Sequence, residues 1–280
     1  MSDKIFFDVV NMSITGSFAI LIIILVRLLL RKAPKVFSYT LWFVAFFRLL
    51  VPFSFESVLS ILPFNTMPLS TDMLYIETPC VETGIKVIDN VINPVVATEI
   101  FGSSINVYQA FTFCGKIIWY IGVFIFLLHT IRSYFKLKEK LQNAVLLRDN
   151  IYITQTISTP FAIGLRNPKI YLPSNLASTQ EYVIAHEQAH LSRHDNLAKV
   201  IGYIILVLHW FNPLVWIAFK LFVTDMEMSC DERVIRKAKT DIRKEYSQSL
   251  LDLSIEKSTL GVPMAVSYTH LRAHETRRHL

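Results

Sequence analysis

Glu181-Tyr-Val-Ile-Ala-His186-Glu187-Gln-Ala-His190-Leu-Ser-Arg-His194 is the stretch from which the rest of the chain can be organised. Tyr182, Val183, Ile184 and Ala185 suit a packed helix, and no Gly or Pro interrupts the run from Ala177 to Lys199. Residues four apart on a helix stand one turn above each other, so His186 and His190 point the same way. Two neutral imidazoles converging at that spacing can share one Zn2+, about 2.0–2.1 Å from each nitrogen. Glu187 lies beside the first of them, within reach of a water held by the metal, where a general base is needed. A surface helix with two solvated histidines satisfies the same short pattern, so the flanking sequence has to decide.

Composition points to a membrane. The chain has 280 residues, of which 52% are hydrophobic, 20 are Phe and only 18% are charged. Soluble domains average about 25% charged. The net charge of +6 does not mark a nucleic-acid binder. Its basic residues gather beside apolar spans, with no Gly-rich loop, zinc-finger spacing or basic recognition helix, so no direct nucleic-acid contact is expected. Cys80, Cys114 and Cys230 form no CxxC pair and imply no disulfide framework. Cys230, beside the metal motif, is read as a small buried packing residue rather than a ligand or redox handle.

Three spans are expected in a membrane domain over residues 1–132. The first covers about 9–30 and ends in Arg27, Arg31 and Lys32; the second covers about 36–53 and closes at Pro52. The third covers about 117–131 and is followed by Arg132, Lys136, Lys138 and Lys140. The first is no cleaved signal peptide, because its charges follow the apolar run. Arg48 is expected to snorkel to the interface. The loop 54–110 holds six acids against one base, Lys86. By the positive-inside rule the N-terminus and that loop lie outside, and the chain after Arg132 faces the cytoplasm with the zinc motif.

The remaining residues, 133–266, read as one α+β domain. Residues 150–157 alternate apolar and polar and 169–172 look like a matching strand, with Gly164 and Asn167-Pro168 between them, which predicts a small antiparallel sheet. An edge of it could hold an extended peptide by backbone hydrogen bonds. Residues 200–223 are again apolar but broken at Asn212-Pro213. A single crossing would carry the chain about 30 Å from the histidines. Two helical lengths of about 20 Å, out and back, would instead return Glu227 to them, so a re-entrant or membrane-associated helical hairpin is expected. Residues 267–280 break with everything before them and resemble out-of-frame or adapter-derived translation, a probable foreign tail. Without its three Arg and Glu275 the net charge is +4.

Two histidines leave a ligand to find. A metzincin would carry Gly and His where this chain has Arg193 and Asn196, so that class fails. His194 is a weak candidate, and Asp195 and Glu232 stand in reserve. Glu227, with Asp231 one turn later, is the better one. This spacing resembles the gluzincin pattern, in which the Glu is the third ligand and the Asp hydrogen-bonds a ligating His.

Taken with the three spans, residues Thr159–Pro173, His186–His190, His209-Trp-Phe-Asn-Pro-Leu-Val-Trp216 and Glu227-Met-Ser-Cys-Asp-Glu232 resemble the BlaR/MecR-type antirepressor membrane metallopeptidases over roughly residues 1–266. The resemblance implies a mainly α, multi-pass protein of a bacterial plasma membrane, with a cytoplasm-facing, gluzincin-like zinc endopeptidase domain. His186, His190 and Glu227 would bind one Zn2+ per chain, Glu187 would be the catalytic base, and Asp231 would orient a ligand. The implied partner is a protein or peptide substrate, a winged-helix transcriptional repressor cleaved directly or by a triggered step. The family's receptors continue into an extracellular penicillin-binding domain; no Ser-x-x-Lys acylation motif lies downstream of the peptidase here, so antibiotic sensing is not expected from these residues. An HtpX/Ste24-like quality-control or processing peptidase shares both zinc elements. A signalling scaffold with a structural zinc is the alternative of another class.

Overall fold

The computed structural model describes residues 2–51, 107–164, 167–174, 180–238 and 242–247. The predicted outer loop, except for its last residues, lies outside the described residues, and so do Cys80 and the tail 267–280.

Six long helices, a short helical stretch at 243–247 and four strands are described. Helix α1 spans Ser2–Leu29, followed by a 3-10 turn at Leu30–Lys32; α2 spans Lys35–Leu50 and α3 Val107–Lys140. Strands β1 (Val145–Arg148), β2 (Ile151–Thr154), β3 (Phe161–Ile163) and β4 (Lys169–Pro173) come next. Helices α4 (Gln180–Ser192), α5 (Asp195–Leu208) and α6 (Pro213–Lys237) complete the set.

Two helical stretches, Asp3–Lys32 and Gln109–Lys140, are long and apolar enough to cross a bilayer, with mean hydropathies of 2.4 and 2.0. Leu21, Ile22, Leu25, Phe124, Ile125 and Leu128 are exposed along them, as side chains facing lipid would be. The second expected span forms α2, whose 16 residues reach about 24 Å, short of the ~30 Å hydrocarbon layer. Helix α3 is longer than the expected 117–131: its 34 residues reach about 51 Å, so both ends overrun that layer.

The chain divides into two compact units. One takes Met1–Leu28, Leu41–Leu127 and Ile205–Ala218; the other takes Leu29–Thr40, Leu128–Ile204 and Phe219–Leu280. In the first, the α5–α6 turn is seated by specific polar contacts. Asn212 Oδ1 accepts from Leu214 N–H at 2.9 Å and so caps α6, with Pro213 in the first helical position. Asn212 Nδ2 donates to Ser13 Oγ and Ser17 Oγ, both at 2.8 Å. Trp119 Nε1 donates to the Leu208 carbonyl at 2.8 Å, and a Cβ on Gly122 would meet the Trp210 ring at 2.2 Å.

The second unit holds the sheet, and here one expectation is corrected. The order is β1-β2-β4-β3, and β2 pairs with β4 in parallel, so the sheet is mixed rather than antiparallel. The Gly164–Pro168 turn belongs to the antiparallel pair β3–β4. The link between β2 and β3 carries the chain past the place β4 will take, which leaves β2 and β4 running the same way. Ile151, Ile170 and Leu172 form a core with Val183 and Ile184, so the sheet holds one face of α4. Another face, with Ala189 and Ala185, packs on Cys230, Val234 and Tyr246.

The run from Ala177 to Lys199 is not one helix, although no Gly or Pro breaks it. His194 takes a left-handed conformation (φ 58°), which ends α4 and starts α5 at Asp195. Helices α5 and α6 are joined at the expected break, Asn212-Pro213. The helical lengths on either side of it, 195–208 and 213–227, are nearly equal at about 21 Å each.

Candidate metal centre

Three donor atoms converge. His186 and His190, one turn apart on α4, place their Nε2 atoms 3.0 Å from each other. Glu227 Oε2, from α6, lies 3.5 Å from the first and 3.4 Å from the second. An ion bound tetrahedrally at about 2.0–2.1 Å sets neighbouring ligand atoms about 3.3 Å apart. The observed triangle fits that requirement, and its fourth corner takes no part of the His-Glu set.

The ring orientations are fixed from behind. His190 Nδ1 lies 2.7 Å from Asp195 Oδ2, and Asp195 is fully buried. His186 Nδ1 lies 2.7 Å from the Tyr246 hydroxyl and 3.1 Å from Asp231 Oδ1; Tyr246 in turn donates to Asp231 at 2.8 Å. Each Nδ1–H thus has an acceptor, which leaves the Nε2 lone pairs turned toward Glu227.

Such a triangle of acceptors is unstable without positive charge inside it. Burial works against protonated imidazoles here, but hydrogen bonding to Asp195, Cys230 and Glu227 outweighs it and pushes His190 up to about 11. His186 is likewise raised well above the usual histidine value, against its burial, by hydrogen bonding to Asp231, Cys230 and Glu227. Burial alone would raise the Glu227 carboxyl; Lys199 and the two imidazoles instead hold it well below the usual range. Lys199 Nζ donates to Glu227 Oε1 at 3.1 Å. The carboxylates demand a cation at the point where the Nε2 atoms meet, and a divalent ion can supply it by displacing protons.

Glu187 is buried on α4 between the two histidines in sequence. His194 is exposed at the α4–α5 turn, away from the ligand triangle. Glu232 accepts from the Lys35 backbone N–H at 2.8 Å. Cys230 packs in the core with Ala189, Val234 and Tyr246, and its sulfur also forms a group with His186 and His190 whose ligand atoms all lie within 4.8 Å of one another. Burial opposes the Cys230 thiolate, but hydrogen bonding to both imidazoles lowers its pKa overall.

Several contributors escaped the sequence. Asp195 had been held only as a reserve ligand, yet it is the partner of His190. Tyr39 donates to Asp195 Oδ1 at 2.9 Å, and Arg193 Nε sits 3.3 Å from the same atom. Tyr246 arrives from the short helical stretch 243–247. Tyr39 and Tyr246 lie far along the chain and Asp195 beyond an unsignalled break, so spacing alone gave no sign of them.

Residues 7–280 match the family model described as BlaR1 peptidase M56. Regulatory protein BlaR1 of Bacillus licheniformis is 29% identical over 218 residues, 65% of this chain and 36% of that protein. The methicillin resistance mecR1 protein of Staphylococcus aureus is 22% identical over 276 residues, 88% of this chain and 46% of that protein. Regulatory protein BlaR1 of Staphylococcus aureus is 22% identical over 273 residues, 88% of this chain and 44% of that protein. The chain thus spans less than half the length of these relatives, but the family match runs over nearly all of it: it belongs to the BlaR1 peptidase M56 family of metallopeptidases.

Proposed function

We propose that this chain is an integral-membrane zinc endopeptidase of regulated proteolysis. His186, His190 and Glu227 hold the ion, and Asp195, Asp231 and Tyr246 orient the two imidazoles. The observation that carries this is the convergence of two Nε2 atoms and one carboxylate oxygen within 3.0–3.5 Å. Zinc, when bound, supplies Lewis acidity toward a scissile carbonyl and toward a water. The Glu187 carboxylate takes the proton of the attacking water and passes it to the leaving amine nitrogen. Lys199 holds Glu227 in its charged form.

The substrate is a cytoplasmic protein, a transcriptional repressor cut directly or through a triggered step. Support comes from the family and from the basic flanks Arg31-Lys32-Lys35 and Arg132–Lys140, which favour the cytoplasmic side. The test is proteolysis in detergent with and without zinc, using a winged-helix repressor as substrate. Cleavage that needs zinc and His190 supports the proposal. Cleavage of unfolded membrane proteins but not of the repressor would move it to quality control.

A second reading rests on Cys230. Were its sulfur to complete the ligand set, four protein ligands would close the site, as structural zinc sites are closed. Cys230→Ser separates the two: zinc affinity falls steeply if the thiolate is a ligand and holds if His186, His190 and Glu227 suffice.

A further inference from the structure

The metal centre is braced by a residue from the N-terminal helices. Tyr39, near the start of α2, is buried, and its ring stacks on Phe222 of α6 at 5.6 Å and 23°. Its hydroxyl donates to Asp195 Oδ1, while Asp195 Oδ2 faces His190 Nδ1. The Arg193 guanidinium lies over the Tyr39 ring at 4.6 Å, and its NH1 donates to Ser229 Oγ at 3.1 Å. One oxygen of the carboxylate thus faces the ligand, while the other takes the Tyr39 hydroxyl from α2 and lies 3.3 Å from Arg193 Nε.

A carboxylate that can rotate orients its imidazole poorly, and loss of such an outer partner typically weakens metal binding about 10–100-fold. Tyr39, at 2.9 Å, is the shorter of the two contacts that hold Oδ1 and restrain the rotation of Asp195; Arg193 Nε, at 3.3 Å, is the other. We propose that Tyr39 is a positioning residue for His190: acting through Asp195, it makes the strength of the metal site depend on how α2 is docked. This rests on the metal-site reading above. It adds a direct route by which a shift of an apolar N-terminal helix reaches a ligand, since a displacement of about 1 Å takes the contact beyond hydrogen-bonding distance.

Tyr39→Phe keeps the ring, its stack on Phe222 and its contact with Arg193, and deletes only the hydroxyl. In the full chain in detergent, zinc affinity measured by competition with a chelator should fall about fivefold, the weight of one hydrogen bond. Cobalt bound in place of zinc should show altered visible bands in that variant, because His190 meets the ion at a changed angle. On an Asp195→Ala background the Tyr39→Phe change should have less than a twofold effect, since the path is already cut. Unchanged affinity, unchanged cobalt bands despite weaker binding, or a full fivefold effect without Asp195 would each overturn the proposal. A purely structural role lowers the thermal midpoint of the metal-free chain and leaves zinc affinity where it was; that result also overturns it. Failure of the metal-site reading looks different: His190→Ala would then bind zinc as tightly as the unaltered chain.

Discussion

His186, Glu187, His190 and Asp195 are buried polar groups, three of them tied to a further polar side chain by distances of 2.7–3.5 Å. The Asn212-Pro213 turn is held by uncharged hydrogen bonds and by packed rings: Phe126 lies 6.5 Å from Trp210 and 5.7 Å from Trp216, with Gly122 leaving room for the indole. The first region is specified by charge and can be altered without changing shape. The second is specified by shape and tolerates little added volume. Substitutions in the two should therefore fail in different observables, chemistry and metal in one, stability in the other.

The largest effect is expected at Glu187. Glu187→Gln keeps the volume and removes the base, so peptide cleavage should drop about 10²–10⁴-fold, roughly 3–5 kcal/mol of barrier. Zinc stoichiometry should stay near that of the unaltered chain. Turnover retained in this variant would remove Glu187 from the mechanism.

Metal removal comes next. A ligand that binds only the folded chain stabilises it by about 4 kcal/mol when present at 1,000 times its Kd. Chelation should lower the thermal midpoint accordingly, and zinc should restore it. The same increment is expected in chains altered at the hairpin turn, because the ligand triangle is untouched there. An increment that vanished in those chains would break the division between charge-held and shape-held regions.

How much of this was legible follows from distance along the chain. The convergence of His186 and His190 was readable because four residues make one helical turn, and no tertiary information is needed. Glu227 was readable because Asn212-Pro213 marks a turn between arms of matching length. The mixed sheet was not, since strand order depends on where the β2–β3 link carries the chain. Asp195 was missed because the break before it uses a left-handed His194 where a Gly would have announced it. Tyr39 and Tyr246 reach the site across 156 and 60 residues, beyond any local pattern.

Gly122 sharpens the shape side of the contrast. A Cβ there would stand 2.2 Å from the Trp210 ring, and an indole packed beside Phe126 has no flexible end to yield. Gly122→Val should cost about 1–3 kcal/mol through overpacking. Zinc affinity in the folded fraction should be unchanged.

Asn212→Ala is the smallest and the most diagnostic change. It removes the cap on Leu214 N–H, about 1 kcal/mol. It also removes two donations to Ser13 and Ser17, each worth about 0.6 kcal/mol between helices in a membrane. Some of that returns, because the methyl group packs among rings and the serines can turn to their own helix; Ser17 Oγ already donates to the Ser13 carbonyl at 2.7 Å. A net loss of about 1–2 kcal/mol should appear in unfolding measured in detergent, with zinc affinity within twofold of the unaltered chain. If zinc affinity fell tenfold instead, the turn would be setting the position of Glu227, and the charge-held centre would owe its geometry to the shape-held hairpin.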